Sequence, residues 1–114
     1  MARVLVCGSR HFTDRKLLEA TLQQFAIEEI IEGGAFGADT LAREWAFAHK
    51  IPVMEFMADW GKYGRAAGPL RNKRMLDEGK PDLVIAFMAK GSKGTKNMVQ
   101  QAAKAGVKTH VVNI

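Results

Sequence analysis

Apolar and polar residues alternate along the chain in blocks whose spacing predicts strands and helices in turn. Short apolar runs rich in β-branched residues predict five buried strands, at Arg3–Cys7, Glu28–Glu32, Pro52–Phe56, Asp82–Phe87 and Val107–Val112. Alternation of strands with helices is typical of a parallel sheet covered on both faces. We therefore expect an α/β fold, a Rossmann-like three-layer sandwich with a five-stranded parallel sheet, formed by residues 1–114 as one domain.

Four helical segments are predicted between these strands. Thr13 or Asp14 can cap the first, whose inner face carries Leu17, Leu18, Leu22 and Phe25. The second begins at Ala38, where apolar residues recur at three- and four-residue spacing. The others are predicted over Arg71–Gly79 and Asn97–Ala105, and the glycine-rich stretch Ala58–Leu70 is predicted to be irregular.

Glycines mark the turn between the second strand and the second helix. Gly33, Gly34 and Gly37 allow positive φ and a close approach of the backbone to another group. The first amide groups of the helix point into this turn and offer a seat for an anion such as a phosphate. A plain connection with glycines for tightness is the alternative for any single turn of this kind.

Glycines recur after the other strands as well. Nine of the eleven lie in segments that follow strands: Gly8, Gly33, Gly34, Gly37, Gly61, Gly64, Gly68, Gly91 and Gly94. All these segments leave the same edge of a parallel sheet, outside which ligands bind in such folds. We therefore expect the glycine turns to face one crevice.

Charge is distributed unevenly. Residues 1–61 carry 6 basic and 9 acidic side chains, a net −3, whereas residues 62–114 carry 11 and 3, a net +8. The basic half favours an anionic partner, either a nucleotide or a nucleic acid. No apolar run is long enough for a bilayer, no signal-peptide pattern is seen, and Cys7 is the one cysteine, so we expect a soluble cytoplasmic protein without membrane association.

Several familiar sites are excluded. A dinucleotide fingerprint would need glycine where Glu32 stands, and no Walker-type phosphate loop occurs. The three histidines and Cys7 lack metal-ligand spacing, and no serine stands in a nucleophile elbow. We expect neither a metal nor a cofactor.

The glycine motifs together carry a family resemblance. Four segments occur in the order Val6–Arg10, Gly33–Asp39, Gly68–Met75 and Gly91–Thr95. This series resembles the SLOG superfamily of Rossmann-like nucleotide-binding proteins, specifically its YspA-related branch of small stand-alone domains. The resemblance implies binding, or sensing, of a nucleotide or nucleotide-derived ligand. Related LOG enzymes are phosphoribohydrolases, which cleave the N-glycosidic bond of nucleoside monophosphates, and the DprA branch binds single-stranded DNA.

The match to the enzymatic relatives is incomplete. Their motif is Pro-Gly-Gly-x-Gly-Thr-x-x-Glu with an upstream arginine, and Gly94, Thr95 and Arg71 fit it. Residues 89–93 depart from its start, and Met98 stands where the glutamate would be. Because glycosidic cleavage needs a carboxylate, ligand binding ranks first, phosphoribohydrolase activity second and single-stranded nucleic-acid binding third. If the protein is an enzyme, Arg71 and Asp39 are the candidate catalytic residues.

The resulting candidate site combines the glycine turns with polar side chains beside them. Arg71 could clamp a phosphate, Asp39 could bind a ribose hydroxyl or favour the helix dipole, and Trp60 and Tyr63 could stack on a base or pack the long loop. The candidate ligand-binding residues are Gly8, Ser9, Arg10, Gly33, Gly34, Gly37, Ala38, Asp39, Arg71, Asn72, Gly91, Lys93, Gly94 and Thr95.

A homodimer or higher oligomer is also expected. The resemblance implies pairing through helices near the crevice, and four apolar side chains are candidates for the contact: Trp45, Phe47, Met57 and Met75. The alternative places all four in the core of a monomer.

Overall fold

The computed structural model describes all 114 residues and contains five strands and five α-helices. One helix lies between successive strands, except that two helices separate the third strand from the fourth. The strands are β1 (Ala2–Gly8), β2 (Ile27–Glu32), β3 (Val53–Glu55), β4 (Leu83–Met88) and β5 (Lys108–Asn113). The helices are α1 (Arg15–Leu22), α2 (Ala38–Ala48), α3 (Trp60–Tyr63), α4 (Ala67–Gly79) and α5 (Lys93–Lys104), with a 3₁₀ turn over Gly64–Ala66.

All strand pairs are parallel, and the sheet order is β3-β2-β1-β4-β5. The predicted Rossmann-like α/β fold with a five-stranded parallel sheet is therefore confirmed. After β3 at one edge, the chain returns across the sheet to place β4 beside β1. This reversal creates a crevice outside the carboxyl ends of β1 and β4, which is where open α/β sheets bind their ligands.

Alternate residues of the three central strands face two separate cores, as the two-residue period of a strand requires. Val4 and Val6 of β1 pack in the core that includes the apolar faces of α1 and α2. Leu5 and Cys7 pack in the opposite core, where α4 contributes Met75 and α5 contributes Met98. Helices thus cover both faces of the sheet, and its carboxyl edge remains open.

Two helices begin earlier than predicted. Helix α4 begins at Ala67 instead of Arg71, since Pro69 lies in its first turn, where a missing N–H is not needed. Helix α5 begins at Lys93 instead of Asn97. The stretch predicted to be irregular contains α3, whose N-cap Asp59 accepts a hydrogen bond from the Lys62 amide at 3.0 Å.

Two of the apolar residues considered for self-association lie in the core. Trp45 is 6% exposed and Met75 is 2% exposed. Phe47 and Met57 are on the surface, with 66% and 60% exposure. None of the helices has the length and apolar character required to span a bilayer.

Candidate functional site

A cleft of about 470 Å³ opens at the carboxyl ends of β1 and β4. Five parts of the chain line it: the end of β1 with the loop after it, the β2–α2 turn with the start of α2, α3, α4, and the turn between β4 and α5 with the start of α5. Of the predicted site residues, it brings together Gly8, Ser9, Arg10, Asp39, Trp60, Arg71, Asn72, Gly91, Lys93, Gly94 and Thr95. It also exposes residues that the motifs did not single out: Cys7, His11, Ala35, Met75, Ala89, Lys90 and Ser92.

The β4–α5 turn, residues 89–95, presents free backbone donors to the cleft. Ser92 is the N-cap of α5, and the amide groups of Lys93, Gly94 and Thr95 have no hydrogen-bond partner within the protein. The Ser92 and Thr95 hydroxyl groups are hydrogen-bonded to each other at 2.7 Å. Open amides at a helix N-terminus favour an anion, both as donors and through the positive end of the helix dipole.

The β2–α2 turn, residues 33–37, uses three of its five backbone donors internally. The Gly33 and Ala35 amides donate to Asp39 Oδ2 at 3.1 and 3.3 Å, and the Gly34 amide donates to Glu32 Oε1 at 2.6 Å. The Ala38 amide donates to the Ser9 carbonyl at 3.3 Å. The protein's own oxygens therefore accept from these four amides, whereas the amides of Phe36, Gly37, Asp39 and Thr40 make no hydrogen bond within the protein.

Four predicted residues of this turn consequently do not line the cleft: Gly33, Gly34, Gly37 and Ala38. Two of the glycines are required for packing instead. A Cβ on Gly33 would lie 2.6 Å from Arg71 Nη1, and one on Gly37, where φ is +82°, would lie 2.7 Å from Arg10 Cα. Tyr63 also lies outside the cleft lining, whereas Trp60 belongs to it and packs its ring over Gly68.

Arg71 and Asn72, adjacent on α4, connect the two turns. Arg71 Nη1 donates to the Gly33 carbonyl at 2.6 Å, and Arg71 Nε donates to Asn72 Oδ1 at 3.0 Å. Asn72 Nδ2 in turn donates to the Gly94 carbonyl at 3.3 Å and to Asn97 Oδ1 at 3.1 Å. Asn72 is 4% exposed, so its geometry suits holding α5 in place more than direct ligand contact.

Asp39 places a carboxyl group in the wall of the cleft. The side chain is 6% exposed, and burial is the main cause that raises its pKa to about 6. The Ala35 amide, the nearby Arg71 guanidinium and the Gly33 amide oppose this increase. Since Oδ2 accepts both amides, the carboxylate is held in a fixed orientation beside Arg71.

Glu32, the last residue of β2, lies behind this wall and is completely buried. Burial, and next the Glu55 carboxyl group, raise the pKa of Glu32 to about 8. Glu55 is its register partner on β3 and accepts a hydrogen bond from Arg43 Nη1 at 2.9 Å. The motif comparison gave no reason to select this carboxyl pair, because their proximity depends on strand register.

Basic side chains surround the mouth of the cleft. Arg10, Lys90 and Lys93 are exposed, and none of them takes part in an ion pair. They surround the open amides of α5 with positive charge, which attracts anions over a distance of about a Debye length. At the floor, burial raises the pKa of the Cys7 thiol, so this group is an un-ionised apolar surface at neutral pH.

Position 98, where the enzymatic relatives would carry glutamate, does not reach the cleft. Met98 is fully buried between α5 and the sheet, in the same core as Leu5 and Met75. A glutamate at this position would be placed in an apolar core, so Met98→Glu is not a means of restoring a catalytic carboxylate.

Comparison with known proteins identifies the family to which this arrangement belongs. Residues 2–63 match the model of the YspA, cpYpsA-related SLOG family, which covers β1 to α3. The chain belongs to this family. It is also 34% identical over 117 residues to the gene 61 protein of Mycobacterium phage D29, covering 94% of this chain and 93% of that protein. No solved structure matches the chain significantly.

Proposed function

We propose that this SLOG-family protein binds, and thereby senses, a nucleotide or nucleotide-derived ligand in the cleft. The observation that carries the proposal is the free N-terminal turn of α5, whose three amides open into the same cleft as the Asp39 carboxyl and the Trp60 ring. Membership of the SLOG family is consistent with a ligand of this class.

The chemistry of the cleft suggests an orientation for the ligand. The phosphate would accept hydrogen bonds from the amides of Lys93, Gly94 and Thr95, with Lys90 and Arg10 supplying further positive charge. The ribose would face Asp39, whose carboxylate accepts hydrogen bonds from hydroxyl groups. The base would stack on Trp60, which is 59% exposed and therefore accessible.

Lys93 offers a substitution that tests the amide contacts directly. It is the first residue of α5, where proline is well tolerated, and Ser92 before it already has the extended conformation (φ −77°, ψ 93°) that a following proline requires. Lys93→Pro removes the amide donor together with the side-chain charge, whereas Lys93→Ala removes only the charge. We expect Lys93→Pro to weaken nucleotide binding by about 1.5–3 kcal/mol more than Lys93→Ala.

The measurement is isothermal titration calorimetry with the ribonucleoside monophosphates and their diphosphates. Thermal melting of both variants verifies that α5 still folds. Equal affinities of the two variants would show that the phosphate lies elsewhere, and an affinity that grows with oligonucleotide length and falls steeply with salt would favour single-stranded nucleic-acid binding instead.

Phosphoribohydrolase activity is the second candidate, and the position of Asp39 favours it. Cleavage requires water to add at C1′ while the base leaves with the electron pair of the N-glycosidic bond and receives a proton. The Asp39 carboxylate, ionised above about pH 6, could accept the proton from water, with Arg71 beside it. Chromatographic detection of free base that disappears in Asp39→Asn would establish this activity; a stable bound nucleotide would support sensing.

We further propose that the protein self-associates through its exposed apolar side chains. Phe47 projects from the last turn of α2 with 66% exposure, and such groups are commonly covered in oligomers. Light scattering at micromolar concentration tests this, and Phe47→Ser should weaken the assembly. A 12.6 kDa particle would contradict the proposal.

A further inference from the structure

Glu32 carries a buried oxygen that the protein leaves without a partner. Its Oε1 accepts a hydrogen bond from the Gly34 amide, but Oε2 is buried and makes no hydrogen bond. A carboxylate oxygen in this position loses its hydration without compensation, which is costly. A proton on Oε2 removes the charge and turns the atom into a donor.

An acceptor for that proton is available on the neighbouring strand. Glu55 is paired in register with Glu32, and its Oε2 is bound to Arg43 of α2. The other groups around Glu32 offer no free positive charge: Asp39 approaches from α2, and Arg71 of α4 is engaged with the Gly33 carbonyl and Asn72. The titratable group at this end of β1 is the neutral Cys7 thiol.

We propose that Glu32 acts as a positioning residue in its protonated form, donating its proton to Glu55 while its other oxygen holds the Gly34 amide. The β2–α2 turn fixed in this way presents the Gly33 carbonyl to Arg71 and the Gly33 and Ala35 amides to Asp39. Glu32 thereby sets the geometry of two cleft side chains without touching the ligand. The part of this inference that concerns ligand binding rests on the proposed function.

Loss of the proton has a predictable effect. An ionised Glu32 would add a negative charge beside Glu55 and Asp39 in a region sheltered from water, where like charges repel strongly. The turn would relax, and Arg71 and Asp39 would lose their fixed orientation. Burial, with the Glu55 carboxyl, raises the pKa of Glu32 to about 8, which places this change in mildly alkaline solution.

The ligand experiment measures the affinity for adenosine 5′-monophosphate between pH 7 and 9.5. In this window the phosphate is fully ionised, and lysine side chains, with ordinary pKa values of about 10.4, keep most of their charge. We expect the affinity of the wild-type protein to fall about tenfold per pH unit above pH 8, since one proton is lost. Glu32→Gln, which mimics the protonated carboxyl, should remove this fall.

Glu29→Gln is the matched control, because Glu29 lies on the same strand, pairs with Arg3 and is remote from the cleft. It should keep the wild-type pH profile. If the affinity of Glu32→Gln falls with rising pH as much as that of Glu29→Gln, the inference is overturned. The proposal that the protein binds a nucleotide is not affected by that result.

A second measurement needs neither a ligand nor a variant. Carbon-13 NMR of the Glu32 carboxyl and the shift of the Gly34 amide in the free wild-type protein should both titrate near pH 8. Titration of the Glu32 carboxyl near its ordinary value of about 4.3 would overturn the inference even if Glu32→Gln did not fold. Failure of adenosine 5′-monophosphate to bind at any pH, with titration near pH 8, would count against the proposed function and support the role of Glu32.

Discussion

The β2–α2 turn and the β4–α5 turn look alike in sequence but differ in what their backbone donors do. Both follow a buried strand, contain glycines and lead into a helix. In the first, four amides are bound to Asp39, Glu32 and Ser9. In the second, the amides of Lys93, Gly94 and Thr95 remain free and face the cleft.

This difference separates two uses of glycine. Gly33 and Gly37 leave room for other parts of the protein, the Arg71 guanidinium and the backbone of the loop after β1. At Gly91 and Gly94, no atom from elsewhere in the protein lies within 4 Å of the position that a Cβ would occupy. The first turn is therefore an internal support, and the second leaves space for something outside the chain.

The largest expected effect on stability comes from replacing one glycine of each turn by alanine, which adds the same methyl group to both. Gly37 and Gly91 both have positive φ, at +82° and +81°, so alanine is strained at either position. At Gly37 the methyl group also collides with the Ser9–Arg10 backbone. We expect Gly37→Ala to lower the free energy of unfolding by more than about 3 kcal/mol and Gly91→Ala by about 1–2 kcal/mol. Urea denaturation measures both, and equal losses would remove the distinction between the turns.

The second prediction concerns the pH dependence of stability. The pKa of Glu32 rises from an ordinary value of 4.5 to about 8 when the protein folds. The protonated side chain therefore stabilises the folded protein fully below about pH 4.5, and this stabilisation is lost as the pH rises to about 8. Asp39, raised to about 6, acts in the same direction at lower pH. Between pH 6 and 8 we expect the free energy of unfolding to fall by on the order of 2–3 kcal/mol in the wild-type protein and much less in Glu32→Gln. An equal fall in the free energy of unfolding between pH 6 and 8 in the two proteins would contradict the prediction.

Arg71→Ala tests the link between the turns. It removes the charged hydrogen bond to the Gly33 carbonyl and a cationic group from the cleft. We expect nucleotide affinity to fall by about 1.5–3 kcal/mol and the free energy of unfolding by about 1 kcal/mol. Arg74→Ala on the same helix, where the side chain forms an exposed ion pair with Glu78, should leave affinity unchanged. Comparable losses of affinity in both variants would indicate a general effect of charge.

The smallest effect is expected at the aromatic side chains beside the cleft. Trp60 lines it and Tyr63, a few residues later, does not. Trp60→Ala should weaken nucleotide binding by about 1 kcal/mol through lost stacking, and Tyr63→Ala should change it little. Quenching of tryptophan fluorescence on titration with nucleotide provides an independent measurement. An effect of Tyr63→Ala larger than that of Trp60→Ala would place the base on the other side of α3.

The order and type of the main elements follow from the sequence, because they depend on local patterns. The runs rich in β-branched residues form the five strands, and the segment with helical spacing of apolar residues that begins at Ala38 forms α2. The parallel arrangement is also predictable, since each pair of strands is separated by a helical segment. Even the edge at which the site lies is set by this alternation, because turns that follow parallel strands leave the sheet on one side.

How the two turns are held relative to the rest of the cleft was decided by tertiary structure. The side chains that hold the turns come from a distant part of the chain: Arg71 reaches the Gly33 carbonyl across 38 positions, and Asn72 reaches the Gly94 carbonyl across 22. The burial of Met98 and the pairing of Glu32 with Glu55 likewise depend on helix rotation and strand register. Local patterns determine where donors and carboxyl groups occur and which of them bond to near neighbours, as the Gly33 and Gly34 amides do. Only packing in three dimensions determines which groups from distant parts of the chain become partners.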